Sequence, residues 1–171
     1  MVFLDESNAS TTMSRLRGRA ERGVRALGYV PHGHYKTQTM LAGIRLSGPV
    51  APLVLDGAVD GEVFTAWTEQ FLLPELKAGD VVIADNLSSH KALGARKAIE
   101  AAGCQFLFLP PYSPDFNPIE EMWSKIKECL RDIGAREFEA LFSAIGDAFS
   151  QISPSDCQGY FRHCGHVHTL W

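Results

Sequence analysis

The chain has 171 residues, of which 46% are hydrophobic, and its net charge at neutral pH is −4. That size suits one domain with its own core, and no apolar run reaches the roughly 18 residues that a membrane span requires. The first residues also lack the basic and long apolar regions of a secretory signal. We therefore expect a single cytoplasmic domain with no membrane partner.

Short apolar runs alternate with helical spacing along the chain. In chain order the patterns predict a strand at 1–7, an irregular segment at 8–35, a hairpin at 37–47 and 49–55, a helix at about 63–72, a strand at 81–84, a helix at 90–102, a strand at 104–109, and helices at about 118–133 and 136–151. This alternation predicts an α/β protein whose mixed central sheet is covered by helices on its faces. We expect one domain at 1–155 and a C-terminal tail at 156–171, for which the sequence indicates no structure.

Three acidic residues stand out by their positions. Asp5 and Asp85 each follow a short apolar strand, and Glu120 lies in the first turn of a predicted helix. Strand ends in α/β sheets are where sites are usually built. Each residue also has a structural interpretation, because an aspartate after a strand is often a turn residue. Glu120 could likewise complete a capping box with Asn117 as the N-cap.

The residue types favour a particular chemistry. Cleavage of a phosphodiester bond must stabilise charge on the attacking and the leaving oxygen, which two divalent ions about 3.5–4 Å apart can do. Mg²⁺ prefers oxygen ligands, and carboxylates without a histidine cage suit Mg²⁺ or Mn²⁺ better than Zn²⁺. The tail carries His163, Cys164, His166 and His168, but their spacing matches no zinc-finger pattern.

The three acids lie in longer motifs. These read Phe-Leu-Asp-Glu-Ser at 3–7, Asp-Asn-Leu-Ser-Ser-His-Lys at 85–91, and Leu-Pro-Pro-Tyr-Ser-Pro-Asp-Phe-Asn-Pro-Ile-Glu at 109–120, followed by Trp123. Together they resemble the DDE transposases of the mariner-like superfamily, in particular the bacterial insertion sequence six-thirty branch. Thirty-four residues separate the second and third acids, as in many members of that superfamily.

The resemblance covers about residues 2–150 and implies a ribonuclease H-like fold for the domain at 1–155. It also implies that Asp5, Asp85 and Glu120 are the catalytic residues and the ligands of two Mg²⁺ or Mn²⁺ ions. The implied reactions are DNA strand cleavage and strand transfer, the steps of cut-and-paste transposition and integration. Members usually insert at TA dinucleotides.

The resemblance also bears on partners. Members carry helix-turn-helix modules ahead of the catalytic domain, whereas this sequence begins almost at the first catalytic strand. We expect that such a module was lost or is a separate chain, as in insertion sequences split into two reading frames. A homodimer is a possible assembly. The expected place of action is the bacterial cytoplasm, on the nucleoid.

DNA binding requires lysine and arginine near the substrate, although the net charge is negative. An arginine-rich segment at 14–25 is the first candidate, and the resemblance places Asn86 and His90 beside the site, near metal or DNA. The candidate DNA-binding residues are Arg15, Arg17, Arg19, Arg22, Arg25, Asn86, His90, Lys91 and Lys127. Arginines in a polar loop can equally be only solvated, and His90 can be only a helix-start residue, so both interpretations stay open.

Two other functions stay open. The chain could be another ribonuclease H-like nuclease, such as a resolvase or an RNA-cutting enzyme, although the proline-rich motif at 109–120 disfavours this. It could also be a remnant that binds DNA or protein without catalysis, although all three acids are present.

A second detail concerns Glu121, which lies four residues before Lys125, a spacing that favours an exposed ion pair.

Overall fold

The computed structural model describes residues 1–167, and its centre is a mixed five-stranded sheet. The strands are β1 (Val2–Ser10), β2 (Thr37–Arg45), β3 (Gly48–Leu55), β4 (Val81–Ala84) and β5 (Gln105–Phe108). Their order across the sheet is β3-β2-β1-β4-β5. The first three pair antiparallel, whereas β1, β4 and β5 pair parallel, which confirms the mixed sheet.

Helices cover both faces of this sheet. They are α1 (Gly61–Trp67), α2 (Leu93–Ala101), α3 (Pro118–Ile133), α4 (Phe138–Ser150) and α5 (Pro154–His163). None of the helices in the described part of the chain is long and apolar enough to span a membrane.

Two hydrophobic layers follow from the alternation of side chains along the strands. Phe3 of β1 packs in a layer with α3, α4 and α5. Its neighbours Val2 and Leu4 pack on the opposite face with α1 and α2. Successive side chains of β1 therefore point to opposite faces of the sheet, and the same alternation continues through Asp5 and Glu6.

The predicted elements are found with shifted ends. After α1 the chain continues as a π-helical turn at Thr68–Leu72 and a 3₁₀ turn at Leu73–Glu75. The helix predicted to begin at residue 90 begins at Leu93, because Ser89–Lys91 form a 3₁₀ turn from which His90 points inward.

The C-terminal tail contains a helix that the sequence analysis missed. Ser153 and Asp156 form a capping box at the start of α5, and Cys157 and Phe161 are buried in the layer with α3 and α4. The Ser-x-x-Asp spacing was the available signal. His168, at the end of the predicted tail, lies outside the described residues.

Candidate active site

The sheet register places two of the predicted acids side by side. Leu4 of β1 pairs with Ala84 of β4 in parallel register, so Asp5 and Asp85 follow at equivalent positions. From Asp5 onward β1 pairs only with β2, since β4 ends at Ala84. This early end of β4 opens the sheet at the carboxyl ends of its parallel strands, where both carboxylates lie.

Asp5 is the buried member of the group. It is only 6% exposed, and the indole N–H of Trp123 on α3 donates to its Oδ2 over 3.1 Å. Burial, with added repulsion from Glu120, Glu6 and Asp85, raises the pKa of Asp5 to about 7. Trp123, which follows the third motif, is buried in the core, and its polar tip orients this carboxylate.

Asp85 is held in a different environment. Its Oδ1 accepts from the backbone N–H of Leu87 over 2.9 Å and contacts Nδ1 of His90 at 2.6 Å. Partial burial alone would raise the pKa of Asp85, but these hydrogen bonds outweigh it and lower the pKa. Asp85 is therefore the ionised neighbour of Asp5.

His90 joins β1 to the loop after β4. Its side chain has no exposed surface, and its Nε2 contacts Oε2 of Glu6 at 2.6 Å while its Nδ1 contacts Asp85. Burial lowers the pKa of His90, but the bonds to Asp85 and Glu6 outweigh this and raise it to about 9. His90 is thus an imidazolium that bridges two carboxylates at neutral pH.

This geometry corrects the assignment of His90 to the DNA-binding set, because the buried ring has no surface to offer DNA. Ligand atoms of Asp5, Glu6 and His90 do lie within 4.8 Å of one another. Both ring nitrogens of His90 are, however, already engaged by Asp85 and Glu6. We interpret Glu6 and His90 as an ion pair beside the site rather than as metal ligands.

Glu120 approaches the aspartates from α3. It is exposed, lies in the first turn of that helix, and lines one cavity together with Asp85. The capping-box alternative is wrong in its geometry, since the side chain of Asn117 makes no cap hydrogen bond. Glu120 is also not part of the 4.8 Å group that includes Asp5; it acts on Asp5 only through its charge.

The neighbouring Glu121 does not form the expected ion pair. Lys125 instead pairs with Asp156 at the start of α5, at 2.7 Å, and Glu121 lies 3.6 Å from His163. The reason is that α5, which the sequence analysis missed, packs beside α3 and supplies the closer partners. In the same region, Nε2 of His166 bonds to the carbonyl of Phe116.

The cavity at the site has a volume of about 550 Å³. The loop after β4 and the proline-rich loop after β5 form its walls. The side-chain amide of Asn86 donates to the carbonyl of Leu109 and so ties the two loops together. The lining residues are Asp85, Asn86, Leu87, Lys91, Leu109, Pro110, Pro111, Tyr112, Ser113, Pro114, Asn117 and Glu120.

The other predicted DNA-binding residues are not brought to one place. Lys91 is exposed and lines the cavity, and Lys127 is half-buried on α3. Arg15 pairs with Asp132 at the far part of α3, at 2.7 Å. The exposed arginines of the irregular segment that follows are Arg17, Arg19, Arg22 and Arg25.

Comparison with known proteins identifies the family of this chain. Residues 1–141 match the model of the family described as DDE superfamily endonuclease. The chain belongs to the DDE superfamily endonucleases. Its sequence is 27% identical over 127 residues to the transposable element Tc1 transposase of Caenorhabditis elegans. That alignment covers 71% of this chain and 46% of the Tc1 protein, so the chain spans about half of its relative.

Solved structures agree with this DDE assignment at the level of the fold. The Mos1 strand transfer complex has a TM-score of 0.72 at 18% identity and covers 96% of this chain and 50% of that one. The catalytic domain of Mos1 mariner transposase has a TM-score of 0.64 at 15% identity, over 96% of this chain and 74% of that one. The ribonuclease H-like fold is therefore confirmed, as is the resemblance to mariner-like transposases.

The DDE residues fit the divalent metals that this family uses. Hard oxygen ligands suit Mg²⁺ and Mn²⁺, and burial together with repulsion from neighbouring carboxylates raises the pKa of Asp5, so a divalent cation would relieve that repulsion. Each aspartate directs one oxygen to a fixed donor, Trp123 or His90, and its second oxygen is the one that would hold a metal.

Proposed function

We propose that this chain is the catalytic domain of a transposase that cleaves DNA strands and joins them to a target. Asp5, Asp85 and Glu120 would hold two Mg²⁺ or Mn²⁺ ions. One observation carries the proposal. Asp5 on β1, Asp85 directly after β4 and Glu120 in the first turn of α3 converge at the carboxyl ends of the parallel strands.

The bound ions would activate the attacking oxygen and stabilise the leaving one. The protein residues then have separate tasks. Trp123 fixes one oxygen of Asp5, and His90 fixes one oxygen of Asp85 while it neutralises Glu6. Glu120, on the exposed side of the cavity, can complete the site as the DNA enters.

Two reactions would use this arrangement in turn. In the first, water attacks a phosphodiester and releases a 3′ hydroxyl at the end of the mobile DNA. In the second, that hydroxyl attacks a phosphodiester of the target, so that one P–O bond forms as another breaks. Mos1 structures bear on both, since they include a strand transfer complex and paired-end complexes with Mn and with Mg.

The proposed partners are transposon-end DNA and target DNA, the latter with TA dinucleotides. A Mos1 paired-end complex holds a left transposon end, which supports a DNA substrate of this kind. A helix-turn-helix module on a separate chain would recognise the transposon ends. A homodimer would bring two ends together, and action on chromosomal DNA would place the chain at the bacterial nucleoid.

The test is a strand-transfer assay with a pre-cleaved, labelled duplex end and a supercoiled target plasmid in Mg²⁺ or Mn²⁺. Covalent joining of the label to the plasmid is the result that we expect. Metal-dependent cutting without joining would identify another ribonuclease H-like nuclease. Neither cutting nor joining would identify a catalytically silent remnant.

A further inference from the structure

The turn after α5 brings one side chain back toward the active site. Gly165 in this turn has φ of +79°, a left-handed conformation that glycine adopts without strain. The chain reverses there, and the backbone N–H of His166 donates to the carbonyl of Phe161 over 2.9 Å. The turn therefore fixes where the ring of His166 lies. The family match ends at residue 141, so α5 and this turn lie outside it.

The ring of His166 joins the two elements that carry the first and the third acid. Its centroid lies 4.7 Å from that of Phe3 on β1, and its Nε2 lies 2.8 Å from the carbonyl oxygen of Phe116. Because a carbonyl only accepts, Nε2 is the donor. Phe3 precedes Asp5 by two positions, so both side chains point to one face of the sheet. Phe116 ends the 3₁₀ turn that leads into α3 and Glu120.

The other contacts of α5 lie along the side of α3. Lys125 pairs with Asp156, and Glu121 lies 3.6 Å from His163. Among the hydrogen bonds of the described residues, the bond from His166 alone joins this end of the chain to the 3₁₀ turn at 114–116. The side chain of Phe116 is half exposed, so its own burial holds the turn only weakly. The turn therefore depends on its carbonyl contact.

The three acids differ in how their carboxylates are held. Asp5 accepts from Trp123, and Asp85 contacts His90. The carboxylate of Glu120 has no such donor in the described part of the chain. Its position is set by its backbone, whose N–H donates to the carbonyl of residue 117 over 3.1 Å, directly after the 3₁₀ turn. Whatever fixes that turn also fixes the direction from which Glu120 reaches the site.

We propose that His166 is a positioning residue for the metal site. It holds the carbonyl of Phe116 close to β1 and so sets the separation of Glu120 from Asp5. The inference rests on the proposed function and adds to it a residue that touches neither metal nor DNA. Without this bond the three acids are still present, but an ion must first order the turn. The loss should therefore fall on metal affinity rather than on the rate at saturating metal.

The test measures Mn²⁺ binding to the whole chain without DNA, from the electron paramagnetic resonance signal of free Mn²⁺. Cleavage of a labelled duplex is then followed across Mn²⁺ concentrations. His166→Leu keeps an apolar side chain against Phe3 and removes the donor. We expect about tenfold weaker Mn²⁺ binding, the lower end of the effect of residues that orient metal ligands. Cleavage should fall at low Mn²⁺ and recover at high Mn²⁺.

Three further variants separate the hydrogen bond from the fold, with folding checked by circular dichroism. His166→Gln keeps an N–H donor and should restore most of the Mn²⁺ affinity. His163→Gln alters an exposed histidine of the same helix and should bind Mn²⁺ as wild type does. Gly165→Ala keeps His166 but disfavours the left-handed turn, so it should weaken Mn²⁺ binding. It replaces His166→Leu in the comparison if that variant does not fold.

The outcomes separate this inference from the proposed function. Unchanged Mn²⁺ affinity in folded His166→Leu would show that His166 only stabilises the fold, and the inference would be wrong while the proposed function stands. Equal losses in His166→Leu and His166→Gln would also contradict it, because the glutamine keeps a donor. If the wild-type chain binds Mn²⁺ without cleaving or joining DNA, the proposed function is wrong, and the Mn²⁺ affinities of the variants still decide the role of His166.

Discussion

The acidic site and the arginine-rich segment are both charged, yet the fold holds them in opposite ways. Asp5, Glu6 and His90 lie where the parallel strands of the sheet end, and each makes a short hydrogen bond or ion pair to a defined partner. The side chain of His90 has no exposed surface. The arginine-rich segment at 14–25 lies within a longer stretch, residues 13–36, that is mostly irregular and exposed. Hydrogen bonds hold the start of this stretch in place, since Arg136 donates to the carbonyls of Thr11 and Met13.

The difference follows from what each group has to do. Metal-assisted chemistry needs carboxylates at fixed positions, and a sheet register with buried partners provides this. Phosphate binding depends mainly on the number of charges and tolerates variable geometry. We therefore expect substitutions at the sheet edge to change chemistry and stability, whereas substitutions in the segment should change only DNA affinity and its dependence on salt.

The largest expected effect concerns the metal. Because the proposed ligands are all carboxylates, DNA cleavage should require Mg²⁺ or Mn²⁺ and should fail with Ca²⁺, whose looser geometry suits in-line displacement poorly. Cleavage of a labelled duplex is measured in each metal and in excess chelator. Full activity in chelator would contradict the role of the crowded carboxylates.

A second effect separates buried from exposed ion pairs. His90→Gln leaves Glu6 and Asp85 without their shared cation, so we expect a loss of about 3 kcal/mol in the free energy of unfolding, as for other broken buried pairs. Lys125→Ala removes a half-exposed pair with Asp156 and should cost about 1 kcal/mol or less. Urea unfolding of both variants measures the two losses in the free energy of unfolding. Equal losses would contradict the expected difference between buried and exposed ion pairs.

The pH dependence of stability sharpens the same contrast. The pKa of Asp5 is raised to about 7, so its ionisation destabilises the metal-free fold as pH rises from about 4 to 7. The pKa of His90 is raised to about 9, so its contribution is complete below pH 6.5 and is lost as pH rises through 9. Both shifts act in one direction, by up to about 1.4 kcal/mol per pH unit for each group.

We therefore expect the melting temperature of the metal-free protein to fall continuously between pH 5 and pH 9, as followed by circular dichroism. In His90→Gln, the decline between pH 7 and pH 9 should be much shallower, because only the ionisation of Asp5 remains. A wild-type melting temperature that does not fall between pH 7 and pH 9 would show that the buried His90 is already neutral there.

The smallest effect concerns the arginine-rich segment. We expect weak DNA binding without preference for an inverted-repeat end, with affinity that falls steeply as salt rises. Substituting Arg17 and Arg19 by Gln should lower the slope of log affinity against log salt by up to about 2, since each phosphate contact contributes about 0.9. Arg96→Gln, which alters a surface pair with Glu100, is the matched control. An unchanged slope in the double variant would show that the segment is only solvated.

Sequence patterns predicted the parts of this molecule that depend on local periodicity. The apolar runs before Asp5 and Asp85 found β1 and β4, and the Asn-Pro start found α3. The patterns did not give the register that aligns Leu4 with Ala84, because strand pairing is a long-range property. The expectation that the two aspartates would meet came from the family resemblance.

The partners of the acids could not be predicted from local pattern. Trp123 fits the apolar stripe of α3, and its bond to Asp5 joins residues far apart in the chain. His90 lies in a recognisable motif, but its contact with Glu6 depends on the turn of the chain after β4. In the same way Lys125 met Asp156 instead of Glu121, because α5 packs where no helix was expected.

The assignment of Glu120 as the third acid is the central claim. Successive residues of a helix point about 100° apart, so Glu120 and Glu121 cannot face the aspartates equally. Glu120 lines the cavity with Asp85 and acts on Asp5, whereas Glu121 lies beside His163. The most direct measurement compares Glu120→Gln with Glu121→Gln in Mg²⁺-dependent cleavage and strand transfer, with folding checked by circular dichroism. We predict that Glu120→Gln stays folded and loses both activities while Glu121→Gln keeps most of them; retained activity in Glu120→Gln would contradict the account.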